Sequence, residues 1–231
     1  MALSLTKKGD DVMKTKQFLV IGAGRFGSSV ARNLYKLGHD VMVMDNNEDK
    51  VQQFSEEVTN AVKADASSEP CLKGLDIKDF DTIVLAIGDD MQASIMAAIL
   101  LIELGAKRIV AKARTELHGK VLDKVGVNQV VFPERDMGQK LARSLIAPTI
   151  IDLIELSDDY SVVEVNAPEE MVGKSLKELN LRNRYGISII ALRRNSGHKT
   201  IISPVAEDII EKEDIIVAIG ENNYLSKMEW I

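Results

Sequence analysis

Apolar residues along this chain fall into two alternating textures. Short, nearly continuous runs recur at Phe18 to Ile21, Val41 to Met44, Ala61 to Ala64, Thr82 to Ile87, Ile109 to Ala111 and Val127 to Phe132. Between them lie longer stretches whose apolar positions repeat at helical spacing, as Val51, Phe54 and Val58 do. An uninterrupted run suits a strand covered on both faces, and a three-to-four spacing suits one face of a helix. Gly38, Gly105 and Gly126 close helical stretches, and Pro70 suits a helix's first turn. Six such runs alternating with helices predict an α/β fold with a doubly wound, parallel, six-stranded sheet over residues 16–135.

The pattern then changes twice. From Gln139 to Leu156, apolar residues such as Leu141, Leu145, Ile150, Ile151, Ile154 and Leu156 fall on more than one side, and Pro148 interrupts them. A helix apolar beyond one stripe wants a second partner, so residues 136–157 are expected to form crossover and dimerisation helices. From Tyr160 onward, Ser161 to Val165 alternates as a half-buried strand does. Val172 to Leu179 reads as a short helix, and Gly186 to Leu192, Thr200 to Ile202 and Asp214 to Ile219 read as strands. Residues 158–231 are thus expected to form a small α+β domain. Residues 1–15 are polar, lack the apolar core of a signal peptide and are expected to be a leader or disordered, with Met13 as an alternative start.

The chemistry concentrates after the first apolar run, in Gly22-Ala23-Gly24-Arg25-Phe26-Gly27. Strand, glycine turn and helix in that order form a dinucleotide-type phosphate cradle. Gly22 permits the tight turn, Gly24 lets backbone approach a pyrophosphate, and Gly27 lets helix and strand pack closely. The helix N-terminus adds unpaired N–H groups and partial positive charge. The second strand ends in Asp45, 18 residues after Gly27, near the ~20-residue spacing of a ribose-binding acid. The blander role for Asp45 is to cap the helix starting near Asn47. Arg25 inside the turn departs from a plain fingerprint: its guanidinium suits paired hydrogen bonds to phosphate, in its own or a neighbouring subunit, against the ordinary fate of a solvated arginine.

Composition narrows the choices. The chain has 231 residues, 45% hydrophobic and 28% charged, with net charge −6, which is globular and offers no basic face for nucleic acid. One cysteine, Cys71, cannot form an internal disulfide, so a cytoplasmic setting is expected. No run approaches the roughly 18 apolar residues of a spanning helix. Other candidates lie at the carboxyl ends of the runs, where open α/β sheets bind ligands: Asp65 and Ser67, Gly88, and the cations Lys112 and Arg114. Asp65 also suits a helix cap, and Glu134 suits a helix N-terminus or a cation. The C-terminal part shows neither metal-ligand clustering, His198 standing alone, nor a nucleophile–base arrangement.

Together the Gly-Arg-Phe-Gly turn, Asp45, Ala64-Asp65-Ala66, Ala86-Ile87-Gly88-Asp89 and Pro133-Glu134-Arg135-Asp136-Met137-Gly138 resemble an RCK (regulator of K⁺ conductance) domain. Val172 to Leu176, Leu179 to Arg182, Val205 to Asp208 and Val217 to Gly220 resemble its companion RCK-C (TrkA-C) domain. The resemblance runs from about Lys16 to about Glu221 and points to the cytoplasmic subunits of Ktr/Trk-type potassium uptake systems. It implies a homodimer assembling into a homo-octameric ring beneath a membrane potassium-translocating subunit of the KtrB or TrkH kind, peripheral at the cytoplasmic face, with no enzymatic activity. It implies ATP or ADP at the glycine turn. Asp45 would hold the ribose, Asn46 would belong to the same site, Asp65 and Ala66 would lie by the adenine, and Arg25 would reach the γ-phosphate, in part across the dimer. Phe26, Ala86, Ile87, Gly88 and Lys112 complete the implied site. Glu134 matches a carboxylate holding Mg²⁺ or another cation between subunits, and some RCK-C domains bind cyclic di-AMP near the Asn180 to Tyr185 stretch. The fingerprint and Asp45 also permit NAD(H), so an NAD(H)-dependent oxidoreductase is the alternative from another class. Regulation of a cation/proton antiporter is a third reading that differs in the membrane partner.

Overall fold

The structure is a computed structural model that describes residues 14–146, 150–194 and 199–227. The predicted 1–15 leader falls almost wholly outside these residues, as does His198. The chain divides after Arg135 into two compact units.

The first unit is the expected doubly wound sheet. Its elements in chain order are β1 (Gln17–Ile21), α1 (Arg25–Lys36), β2 (Asp40–Asp45), α2 (Glu48–Phe54), β3 (Asn60–Lys63), α3 (Glu69–Lys73), β4 (Thr82–Leu85), α4 (Met91–Glu103), β5 (Ile109–Lys112), α5 (Glu116–Val125) and β6 (Gln129–Val131). The strands run in the order β3-β2-β1-β4-β5-β6, with every neighbouring pair parallel. The continuous apolar runs are explained by burial on both faces. Leu19, Ile21, Met44, Ile83 and Leu85 pack with Ala97, Leu101 and Leu122 of α4 and α5. Val20, Val41, Val43 and Val84 point the other way, onto Ala31 of α1 and Phe54 of α2. β4 stops at Leu85, two residues short of the apolar run, so Ala86 and Ile87 lie beyond the strand end.

α6 (Pro133–Ile146) follows, its proline in the first turn as proline's fixed φ favours. The expected helical run over 136–157 does not continue. Residues 150–155 form a strand, β7 (Ile150–Glu155), antiparallel to β8 (Tyr160–Asn166). The correction has a physical basis: Ile150-Ile151 and Ile154 are β-branched, and Leu153 sits opposite Val163, packed on the second core.

The remaining elements are α7 (Leu176–Leu179), α8 (Leu181–Tyr185), β9 (Ser188–Arg194), β10 (Lys199–Ile202), β11 (Ile215–Glu221) and α9 (Asn222–Lys227). They complete an antiparallel five-stranded sheet in the order β10-β9-β11-β8-β7. Val163, Val165, Leu192, Ile216 and Ala218 line its core face beneath Leu179, Leu181 and Leu225. Ser175 and Glu178 form a reciprocal capping box at α7. Asn180, with φ of 47°, then turns the chain so that α8 begins at once. The sequence reading had neither α8 nor α9. No described helix is long and apolar enough to cross a membrane.

Leu85→Ala would empty a fully buried site at the centre of the first unit. The loss should be about 2–5 kcal/mol, read as a lowered urea midpoint for that unit with an unchanged fold of the second.

Candidate functional site

The glycine turn is wedged between the ends of two strands. Gly22 has φ of 97°, and its N–H donates to the carbonyl of Met44 at 2.7 Å. On its other side Ala86 N–H donates to the carbonyl of Ile21 at 2.7 Å, and a Cβ on Gly22 would lie 3.0 Å from the Ala86 carbonyl carbon. A Cβ on Gly27 would collide with the Gly22 carbonyl oxygen, so α1 can rest on the turn only with glycine there. Gly24 differs: a Cβ there would meet no protein atom within 4 Å. The space beside it is open where a phosphate chain would run. Gly24 is also the N-cap of α1, with no side-chain cap and no acid in the first turn, so the helix's leading N–H groups keep their capacity for an anion.

Asp45 fixes this turn from below. It is buried, and its Oδ2 accepts the Ala23 N–H at 2.7 Å while its Oδ1 accepts the Asn47 N–H at 2.9 Å. The cap of α2 is Asn47, whose side chain accepts from the N–H of Lys50. The carboxylate therefore ties the end of β2 to the glycine turn. Lys50 Nζ stands 3.5 Å from Oδ2.

A cavity of about 200 Å³ opens above these groups at the carboxyl edge of the sheet. Of the sequence-derived candidates it gathers Gly22, Gly24, Asp45, Asn46, Asp65, Ala66, Ala86, Ile87 and Gly88. Asp65 forms one wall. Its Oδ1 accepts both the N–H and the hydroxyl of Ser67, and these bonds hold its carboxyl below the usual range against a slight opposing cost of burial. Lys50, Asp89, Asp90 and Ala93 also line the cavity, and the sequence reading singled out none of them as a site residue. Asp89 and Asp90 had a visible signal, directly after Gly88 at a strand end. Lys50 had only its position one turn into the helix after Asp45.

Arg25, Phe26, Gly27, Lys112 and Glu134 do not line this cavity. Arg25 is exposed at the first position of α1, Phe26 packs against the core face carrying Val20, and Gly27 is buried in the turn. Lys112, at the end of β5, crosses Gly88, where a Cβ would sit 3.4 Å from its Nζ. Its side chain is 12% exposed, and Nζ donates to Glu134 Oε1 at 2.6 Å and lies 6.0 Å from the Phe26 ring. The Lys112 bond holds the Glu134 carboxyl below its ordinary value. Desolvation opposes this, and the Lys112 and Arg25 charges add to it. Arg114 Nη1 is 3.2 Å from Asp89 Oδ1. Beyond the cavity, then, stands a cationic shelf of Arg25, Lys112 and Arg114, with Lys112 and Arg114 each meeting a carboxylate. Among the described residues no three His, Cys, Asp or Glu side chains gather as a cation site.

The second unit has its own cavity, about 430 Å³, lined by Asn180, Arg182 and Asn183 with Leu176, Ile187 and Ile189. Cys71 is half-buried on α3.

Two substitutions probe this geometry. Asp45→Ala would strip two backbone donors of their acceptor and should cost about 1–3 kcal/mol, read by urea unfolding. Lys112→Met should let the Glu134 carboxyl rise toward the ordinary glutamate range, read by ¹³C NMR titration of the side-chain carboxyl. An unmoved titration would mean that the 2.6 Å bond does not govern it.

Residues 18–133 match the TrkA-N domain model, and residues 160–229 match the TrkA-C domain model. The Ktr system potassium uptake protein C of Bacillus subtilis (strain 168) is 41% identical over 214 residues, covering 93% of this chain and 96% of that protein. The Ktr system potassium uptake protein A of the same organism is 40% identical over 217 residues, covering 94% and 97%. A structure of the GsuK channel bound to NAD matches with a TM-score of 0.67 and 22% identity over 96% of this chain, which spans 40% of that one; this likeness is one of fold. The two domain models follow one another along the chain as the doubly wound sheet and the small antiparallel domain do, and the chain belongs to the TrkA-N/TrkA-C family of RCK proteins.

Proposed function

We propose that this protein is a nucleotide-sensing regulatory subunit that gates a membrane potassium-translocating partner at the cytoplasmic face, without catalysing a reaction itself. The observation that carries the reading is the Asp45-anchored cavity, with open space at Gly24 and a cationic shelf beyond it. Collinearity with the Ktr potassium uptake proteins over 93% of the chain supports the transport setting.

ATP and ADP are the proposed ligands. Asp45 and Asn46 would take the ribose hydroxyls, Asp65 and Ala66 the adenine, and Ala86, Ile87 and Gly88 the opposite wall. The backbone at Gly22, Gly24 and Gly27 would take the phosphates, with Phe26 packed beneath. Arg25 and Lys112 would read the terminal phosphate, Arg25 in part across a dimer. The two ligands differ by one charged group, and a ligand shifts a conformational equilibrium only by its differential affinity for the two states. Dimers assembled into an octameric ring would carry that difference to the partner. Among the described residues Glu134 belongs to no group of three His, Cys, Asp or Glu side chains that could hold an ion; a Mg²⁺ or similar ion is proposed between subunits, with ligands from a second copy. Cyclic di-AMP is a proposed second ligand for the Asn180 cavity. The NAD-bound GsuK structure keeps NAD(H) in view as the nucleotide, whether for an NAD(H)-dependent oxidoreductase or a sensor, and an antiporter remains the other membrane partner.

Calorimetry with ATP, ADP and NADH, with and without Mg²⁺, tests the reading. ATP and ADP should bind without turnover and more tightly than NADH. Arg25→Ala should erase most of the ATP-over-ADP preference, on the order of ten- to a hundredfold for a charge-assisted contact, while leaving adenosine binding intact. Preference for NADH, or turnover of a nicotinamide substrate, would overturn it.

A further inference from the structure

The first turn of α5 carries a histidine with nothing to bond. His118 is fully buried, and neither Nδ1 nor Nε2 has a hydrogen-bond partner. A neutral imidazole carries one N–H donor and one bare-nitrogen acceptor, so both are already unsatisfied; a second proton would bury a charge as well. The surroundings offer no relief. α5 packs against α4 and β6. β6 has no titratable residue, and the acids of α4 are Glu103, exposed in its last turn, and Asp90, whose Oδ1 caps the helix through Ala93 N–H. On α5 itself Glu116, Lys120, Asp123 and Lys124 are exposed, and Glu116 is engaged by Arg135 at 2.5 Å. Lys112, at the end of β5, is bonded to Glu134. Ser94, also one turn into its helix, is buried and likewise unpartnered. Burial pushes the imidazole below its ordinary pKa, with no carboxylate to counter it.

The turn that holds this group also clasps the start of α6. Gly119 is pressed against Phe132 so closely that a Cβ would collide with the ring. The Arg135 guanidinium lies 3.9 Å from the centre of the same ring and reaches back to Glu116. Contacts on both sides of His118 thus interlock α5 with the β6–α6 joint, and Glu134 sits within that joint, bonded to Lys112.

We propose that His118 makes this clasp acid-released: with a neutral imidazole the first turn of α5 stays seated on Phe132 and Arg135, and protonation drives the turn outward until the imidazolium reaches water. The sign follows from linkage. The closed form binds the proton less readily than the open one, so the clasp keeps its full stability above the ordinary histidine pKa of 6.5. Stability declines as pH falls through that value toward the lower pKa of the closed form. The device would work in mild acid, where histidine is the side chain suited to switch, and would loosen the Glu134–Lys112 strap at the edge of the site.

The test uses the full chain and no ligand, so it stands or falls apart from the nucleotide reading. Imidazole NMR resolves the chain's three histidines, and amide hydrogen exchange, corrected for intrinsic rates, is compared at about pH 7.5 and about pH 5.5. His118 should titrate below the ordinary value. The α5 amides should lose about tenfold in protection on acidification, relative to α1 amides in the same molecules, one proton allowing at most about tenfold per pH unit. His118→Gln, uncharged at both pH values, should abolish the difference, with His118→Phe as the second variant if the first fails to fold. A His118 pKa at or above the ordinary value, or an equal loss of α5 protection in the uncharged variants, would overturn the proposal.

Discussion

One buried carboxylate holds the ligand edge of the first unit in shape. Asp45 accepts one backbone N–H from the glycine turn and one from the start of α2, so it extends the coupling of β1 to β2 one step beyond the last backbone bond between them, Gly22 N–H to the Met44 carbonyl. The turn cannot relax elsewhere, because Gly27 rests on the Gly22 carbonyl and Gly22 rests on Ala86. Three strands thereby fix a few backbone atoms, and the cavity is the space they leave. A carboxylate already satisfied on both oxygens by backbone is also preorganised: a ribose would meet it without rearrangement, which is where binding energy is otherwise lost.

Much of this was legible in the sequence, for identifiable reasons. Strands covered on both faces must be apolar at every position, so the six runs stood out, and the glycine turn and Asp45 were read from spacing. Ala86 and Ile87 were read as strand because they are apolar, yet they are apolar where they line the cavity beyond the strand end. Ile150 to Glu155 were read as helix because an edge strand can carry apolar residues on both sides, which blurs its period of two. α8 was missed because its start depends on one left-handed residue, Asn180. Lys50 looks like any lysine on a helix surface, and only its distance to Asp45 distinguishes it. The pairing of Lys112 with Glu134, 22 residues apart, has no local sign at all, since both positions were visible but their bond was not.

That bond changes how the site's charge is understood. Arg25, Lys112 and Arg114 suggest a strongly positive shelf, but Glu134 and Asp89 already meet two of them. Lys112 is mostly buried, whereas Glu134 is 65% exposed, so the lysine is the fixed member of the pair and the glutamate the one free to move. An incoming phosphate would compete with a carboxylate rather than fill an empty cationic hole. Discrimination between ligands would then depend on how many charges arrive, as much as on the shape of the cavity.

The strand order has a further consequence, for how the molecule is made. β1 lies at the middle of its sheet, between β2 and β4, although it precedes every other strand of that sheet along the chain. Its second edge stays unpaired until some sixty more residues have been synthesised and Phe18 to Ile21 can meet Thr82 to Leu85. Pairings this distant are slow to form, and they leave an apolar strand uncovered in the meantime. The nascent chain is therefore most vulnerable to misassociation while only β1, β2 and β3 exist. The glycine turn can take up its final geometry only once Ala86 arrives, which makes a formed cavity the mark of a sheet that has gained its fourth strand.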